Sequence, residues 1–329
     1  MFKLFISFSI LLLTVWVFGD EKKLKVGLVL DKGGKDDKSF NAAAYRGATE
    51  AQSKFNVQLK VVESSDDSAI EPSIRTFAQR GFDLIISIGF VQEEAVKKVA
   101  KEFPKVKFLI VDAPVTAPNV RSVMFQEHEG SYLMGAIAAL KTKTNAVGFI
   151  GGMDIPLIRR FELAYRKGAE SVNPKIKVIT NYVGSSSDAW RNPTKGKELA
   201  LNQIKKDVDV IFAAAGASAT GAFDAVEQTN KLIIGCDSNQ NYLKPGKVLT
   251  SMIKGVDVAV FTTIEQTVKN EFKAGEFYMG LKEKGIDYAL DSFNKPLWTP
   301  ELEKKVNDIK AKIIAKKVTP PDYYLLKTK

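Results

Sequence analysis

The stretch L-K-V-G-L-V-L (24–30), followed by D-K-G-G-K-D-D-K-S-F-N (31–41), decides how the rest of the chain reads. The first part is a nearly unbroken apolar run of strand length. The second is a polar turn whose glycines let the backbone bend sharply and whose Ser39 is placed to cap a following helix. An amphipathic stretch, 40–55, then leads to the next apolar run, 57–62. Strand, turn, helix, strand with such apolar strands is the pattern of a parallel sheet covered by helices on both faces. It continues with strand-like runs at 83–88, 107–111, 146–150, 176–183, 208–214 and 232–236. Helical stretches lie between them at 70–80, 92–103, 157–171, 194–206 and 220–230, and a last one follows Thr299-Pro300. The rhythm runs twice, before and after about Gln126. The expected fold is therefore α/β, two doubly wound parallel-sheet lobes joined by a hinge, with 20–125 and 255–285 in the N-terminal lobe and 126–254 and 286–329 in the C-terminal lobe.

In such sheets ligands bind beyond the carboxyl ends of the strands. Asp31 ends the first strand, Asp112 follows K-F-L-I-V and Asp237 follows L-I-I-G-C. One acidic strand end is ordinary, whereas three on one rim form an acceptor array for hydroxyl and amino groups. GxGxxG and GxxxxGK[ST] are absent, and the aspartates of the 31–41 turn repel phosphate, which argues against a dinucleotide or phosphate site.

Residues 1–19, M-F-K-L-F-I-S-F-S-I-L-L-L-T-V-W-V-F-G, have the layout of a signal peptide cut before Asp20, with Lys3, an apolar run, and Val17 and Gly19 as the small residues. The run is shorter than the roughly 20 residues a spanning helix needs. The net charge of +10 is spread over lysines interleaved with acidic residues, so no nucleic-acid partner is expected. Cys236, the sole cysteine, allows no internal disulfide and sits in an apolar run, where a buried, inert thiol is expected. His128 is the sole histidine; HExxH and G-x-S-x-G are missing, so no metal, cofactor or catalytic triad is expected. A binding protein is favoured over an enzyme, with acid–base chemistry by an aspartate pair, as in a nucleoside hydrolase, the enzymatic alternative. A structural or adhesive surface protein is a third reading.

From Lys25 onward the chain resembles the basic membrane protein family, purine nucleoside receptors of the type I periplasmic-binding-protein fold. The segments that carry the resemblance are 31–41, G-F-D-L-I-I-S-I-G-F (81–90), F-L-I-V-D (108–112), E-G-S-Y-L-M-G (129–135), G-F-I-G-G-M-D-I-P (148–156), I-F-A-A-A-G (211–216), G-C-D-S-N-Q (235–240) and V-L-T-S-M-I-K-G-V-D-V-A-V (248–260). The resemblance implies a monomeric substrate-binding component that feeds an ABC transporter permease. It implies that Phe40 and Asn41 of S-F-N lie in the site, with Phe40 stacked on one purine face and Phe212, or else Trp190, on the other. Asp31 and Asp112 would bond the base edge, Asp237 the ribose hydroxyls, and Lys254 the sugar or base. The alternative ligand is a sugar or other small polar solute. Two departures stand out. Family members commonly carry a lipid-bearing cysteine at the cleavage site, and its absence here points to a free periplasmic protein. Asn239 stands where the family often has an aspartate, which removes a negative charge near the cleft.

Overall fold

The structure, a computed structural model, describes residues 23–64 and 66–326; the expected signal peptide and its cut before Asp20 lie outside the described residues. The chain runs β1 (Lys25–Leu30), α1 (Phe40–Phe55), β2 (Gln58–Glu63), α2 (Ile70–Gln79), β3 (Leu84–Ile88), α3 (Glu93–Glu102), β4 (Lys107–Val111), β5 (Val120–Phe125) and α4 (Glu127–Lys141). It then repeats that order as β6 (Ala146–Met153), α5 (Pro156–Val172), β7 (Lys177–Gly184), α6 (Pro193–Ile204), β8 (Val210–Ala214), α7 (Ala219–Glu227), β9 (Leu232–Asp237), β10 (Val248–Lys254) and α8 (Val256–Val268). Two more strands, β11 (Gly275–Met279) and β12 (Ile286–Tyr288), precede α9 (Pro300–Ile314) and α10 (Tyr323–Leu326).

The strands form two six-stranded sheets, ordered β11-β5-β4-β3-β1-β2 and β12-β10-β9-β8-β6-β7. Every pairing is parallel except β10 with β12. Each sheet has the same order of equivalent strands, so β4 and β9 occupy matching places, as do β5 and β10. The chain passes from one sheet to the other after β5, after β10 and between β11 and β12. The helices after the first two passages change sides. α4 follows a strand of the first sheet but packs on α5, and α8 follows a strand of the second but packs on α1. Backbones come very close at these seams. A Cβ on Gly135 would collide with the Tyr165 carbonyl, and one on Gly47 with the backbone of Asp257.

Local chemistry fixes the helix starts. Proline opens α5, α6 and α9, where its missing N–H costs nothing, and Thr299 accepts a bond from the Leu302 N–H at 3.1 Å. Ser39 does not cap α1 with its side chain, contrary to expectation. Asp37 does so instead, accepting from the N–H groups of Ser39, Asn41 and Ala42 at 2.8–3.0 Å. Among the described residues no helix is long and apolar enough to cross a membrane.

Candidate ligand-binding cleft

The carboxyl ends of the strands from both sheets face one cleft. The first lobe supplies Asp31, Asp37, Phe40, Asn41, Phe90 and Asp112; the second supplies Leu157, Phe161, Trp190, Ala214 and Asp237; Lys254 enters at the second passage between sheets.

Asp31 is held by its neighbours. Its Oδ1 accepts from the Gly33 N–H at 2.9 Å and from Asn41 Nδ2 at 2.6 Å, while Oδ2 is turned to Gly89. Gly89 has φ 105°, and a Cβ there would stand 3.1 Å from that oxygen, so backbone angle and space both call for glycine. Burial pushes the Asp31 carboxyl up to about 6, against the pull of these hydrogen bonds. Asn41 lies in the site but spends its amide on protein: Nδ2 also reaches Asp37 at 2.9 Å, and Oδ1 accepts from the Asp31 N–H at 3.1 Å. It orients Asp31 rather than offering a free amide to a ligand.

Asp112 and Asp237 stand at equivalent positions, just past β4 and at the end of β9, with φ 69° and 68°. Asp112 Oδ2 accepts from Lys254 Nζ at 2.6 Å, whereas its buried Oδ1 has no hydrogen-bond partner among the described residues. Burial, opposed by Lys254 and reinforced by Glu127, pushes Asp112 up to about 7. Asp237 is also raised, first by burial. Its Oδ2 accepts from Ser39 Oγ at 2.5 Å, a bond that joins the two lobes. Lys254 is 2% exposed. Burial works against its ammonium, but Asp112, Glu127 and Asp237 outweigh that and hold the pKa above the ordinary lysine value. Its Nζ lies 5.0 Å from the Phe40 ring centre, a cation–π contact on a partly buried ring.

Phe212 is not in the cleft. It is 0% exposed and packs at 5.7 Å from Phe149 and 5.5 Å from Tyr165: it shares a face of β8 with Ala214, which lines the cleft, but lies one pleat back from the strand end, inside the core. Trp190 lines the cleft, its ring lying against Gly152 and Gly216 where a Cβ on Gly152 would strike it. The short turn that carries it is tied down by Ser218, whose Oγ donates to the Ala189 carbonyl and accepts from the Asn192 N–H. Phe90, Phe161 and Glu127 were missed. Phe90 follows the strand-ending I-S-I-G, a position the strand-end rule reaches; Glu127 acts from behind the wall, and nothing in sequence spacing marks it. Asn239 is exposed and donates to Asp291 at 2.7 Å, so it is turned away from the cleft. His128 is pushed down to about 4 by burial and by Arg160, and is neutral at pH 7.

Residues 24–323 match the Bmp family, described as "ABC transporter substrate-binding protein PnrA-like". The chain belongs to the Bmp family. It is 36% identical over 321 residues to the ABC transporter nucleoside-binding protein BmpA of Lactococcus lactis, covering 91% of this chain and 89% of that one. It is 33% identical to an uncharacterized lipoprotein of Pyrococcus furiosus, covering 81% of this chain and 70% of the relative. A solved ABC transporter solute-binding protein from Aeropyrum pernix superposes with a TM-score of 0.83 at 28% identity, covering 92% of this chain and 96% of that one. As a Bmp-family member the chain is a substrate-binding protein of an ABC transporter, which works outside the cytoplasm, and its family binds solutes rather than transforming them. The lipoprotein description of a relative stands against the expectation of a free periplasmic protein.

Proposed function

We propose that this chain captures a purine nucleoside between its lobes and delivers it to its permease, with 126, 255 and 280–285 as the hinge. One observation carries the reading: aromatic rings from both lobes, Phe40 and Phe90 on one side and Phe161 and Trp190 on the other, share a cleft with the acceptors Asp31, Asp112 and Asp237. A flat base fits between rings, and the carboxylates match the N–H groups of a base edge and the hydroxyls of a ribose. Asp112 Oδ1, buried without a hydrogen-bond donor among the described residues, is such an acceptor. The nucleoside-binding description of the Lactococcus relative agrees.

The cleft is acidic inside a basic protein. Asp31, Asp37, Asp112 and Asp237 face one lining cation, Lys254, which is already paired. A 5′-phosphate brought there meets like charge, a penalty of several kcal/mol in a buried setting. Calorimetry with inosine, guanosine, guanosine monophosphate, free guanine and ribose tests the reading. Nucleosides are expected to bind, and the monophosphate at least tenfold more weakly, since about 1.4 kcal/mol, less than that penalty, already gives a factor of ten. Equal affinity for guanosine and its monophosphate, or binding of ribose alone, defeats it.

A further inference from the structure

Behind the cleft, a file of charges runs from its wall to the C-terminal segment. Lys254 Nζ sits 2.6 Å from Asp112 Oδ2 and 3.0 Å from Glu127 Oε1. Glu127, the first residue of α4, takes Arg160 Nη1 on its other oxygen at 2.6 Å, and the same nitrogen donates to the Phe125 carbonyl at 2.8 Å. The other edge of the guanidinium is gripped as a fork by Asp322, Nε at 2.9 Å and Nη2 at 2.8 Å. The Tyr324 ring lies over it at 5.1 Å. Lys254 and Asp112 line the cleft, whereas Glu127, Arg160 and Asp322 stand outside it.

These groups come from the end of β4, the first two of the three passages between the sheets, α5, and the segment after α9. A guanidinium held on both edges has little freedom, and its place fixes Glu127. Glu127 then competes with Asp112 for Lys254. Burial opposes the Glu127 charge, yet Lys254 and Arg160 together keep its pKa below the usual carboxylate range, so it stays an anion in that contest. With water largely excluded, a charge removed at one end is felt along the file.

We propose that the C-terminal segment around Asp322 is a positioning element for the cleft: through Arg160 and Glu127 it sets how Lys254 divides between Asp112 and a ligand. The inference concerns the cleft whatever ligand it takes, and so stands apart from the nucleoside reading.

The test reads Asp112 directly. Around its carboxyl are Lys254, Glu127 and Asp237, with the Tyr324 hydroxyl also within the field of Asp112 and Lys254. Around Arg160 are Glu127, Asp322, Tyr324 and the neutral His128. Asp322→Asn removes an anion and turns the Arg160 charge onto Glu127. Lys254 is then left more fully to Asp112, and both changes favour the ionised carboxyl. In ligand-free protein the Asp112 carboxyl resonance is therefore expected to titrate below its wild-type midpoint near 7. At pH 8, where Asp112 is ionised in both proteins, inosine affinity is expected to fall roughly fivefold or more, because Lys254 stays on Asp112 instead of turning to the ligand, a coupling of ordinary allosteric size. Asp322→Glu restores both, and Tyr324→Leu, which keeps the ion pairs, leaves the midpoint in place. An Asp322→Asn protein that melts earlier while Asp112 titrates as in wild type makes the segment a mere brace and overturns the proposal. Because the titration uses no ligand, failure of inosine to bind even wild type counts against the nucleoside reading alone.

Discussion

Asp112 and Asp237 adopt the left-handed backbone at matching points of the two lobes, a conformation that aspartate tolerates better than most residues. Their surroundings then separate them. Asp237 bonds Ser39 of the opposite lobe, while Asp112 pairs with Lys254 and its Oδ1 has no donor among the described residues. With Asp112 pushed up to about 7 and Asp31 to about 6, mainly by burial, both take up protons as pH falls through that range. A ligand that donates hydrogen bonds prefers the ionised carboxyls and draws their pKa down on binding. Binding therefore releases protons near pH 6–7, and affinity is expected to rise with pH through that window and then level off. Calorimetry from pH 5.5 to 8 in buffers of different ionisation heat measures both quantities. Proton uptake, or an affinity that falls as pH rises, shows that the ligand does not use these acceptors.

At the scale of elements, Phe40 and Phe212 show what sequence could and could not tell. The strands β1, β3, β4, β8 and β9 are apolar runs broken by polar turns, so their places, and with them Asp31, Asp112 and Asp237, were legible. The strands β5 and β10 were not marked among the runs: β5 buries Arg121 and Ser122, and β10 buries Thr250, Ser251 and Lys254. The helices α4 and α8 escaped because they are apolar on more than one face, which removes the stripe that betrays an amphipathic helix. Phe212 failed differently. It shares a face of β8 with Ala214, which lines the cleft, but lies one pleat back in the core, and nothing local says how far along a strand a cleft reaches. Phe40 lies at the mouth of a helix, half-buried, beneath Lys254. Phe40→Ala is expected to weaken purine nucleosides by about 1–3 kcal/mol with little change in melting temperature. Phe212→Ala is expected to cost about 3–5 kcal/mol of stability, with the folded fraction still binding. Urea unfolding paired with calorimetry separates the two; the reverse pattern places the stacking face on Phe212 after all.

For the whole molecule, the bonds that cross between lobes decide how binding is linked to closure. Besides Ser39 Oγ to Asp237, Ser39 Oγ lies 3.1 Å from the Cys236 carbonyl, Ser238 Oγ donates to the Ser39 carbonyl at 2.8 Å, and Gln240 Nε2 to the Lys38 carbonyl at 2.9 Å. These bonds join the turn before α1 to the end of β9, and all but the Asp237 bond use main-chain carbonyls, so they hold the lobes together whichever ligand is present. Lys32 and Asp188 also meet across the cleft mouth at 2.6 Å, but Asp188 is 75% exposed, and such a pair contributes little in salt. A ligand shifts an open–closed equilibrium only through its preference for the closed form, so a bond present only when closed adds equally to every ligand's affinity. Ser238→Ala removes one such bond without touching a cleft acceptor. It is expected to weaken all bound ligands alike, by about 0.5–1.5 kcal/mol, the net worth of one neutral hydrogen bond. The loss should appear as faster release rather than slower capture, since the latch forms after the ligand has entered. Lys32→Ala should cost less, and less again as salt is raised. Stopped-flow release rates, with small-angle scattering to follow closure, give the comparison. If Ser238→Ala closes and releases ligand as wild type does while Lys32→Ala slows closure, the mouth ion pair and not the buried latch governs the motion.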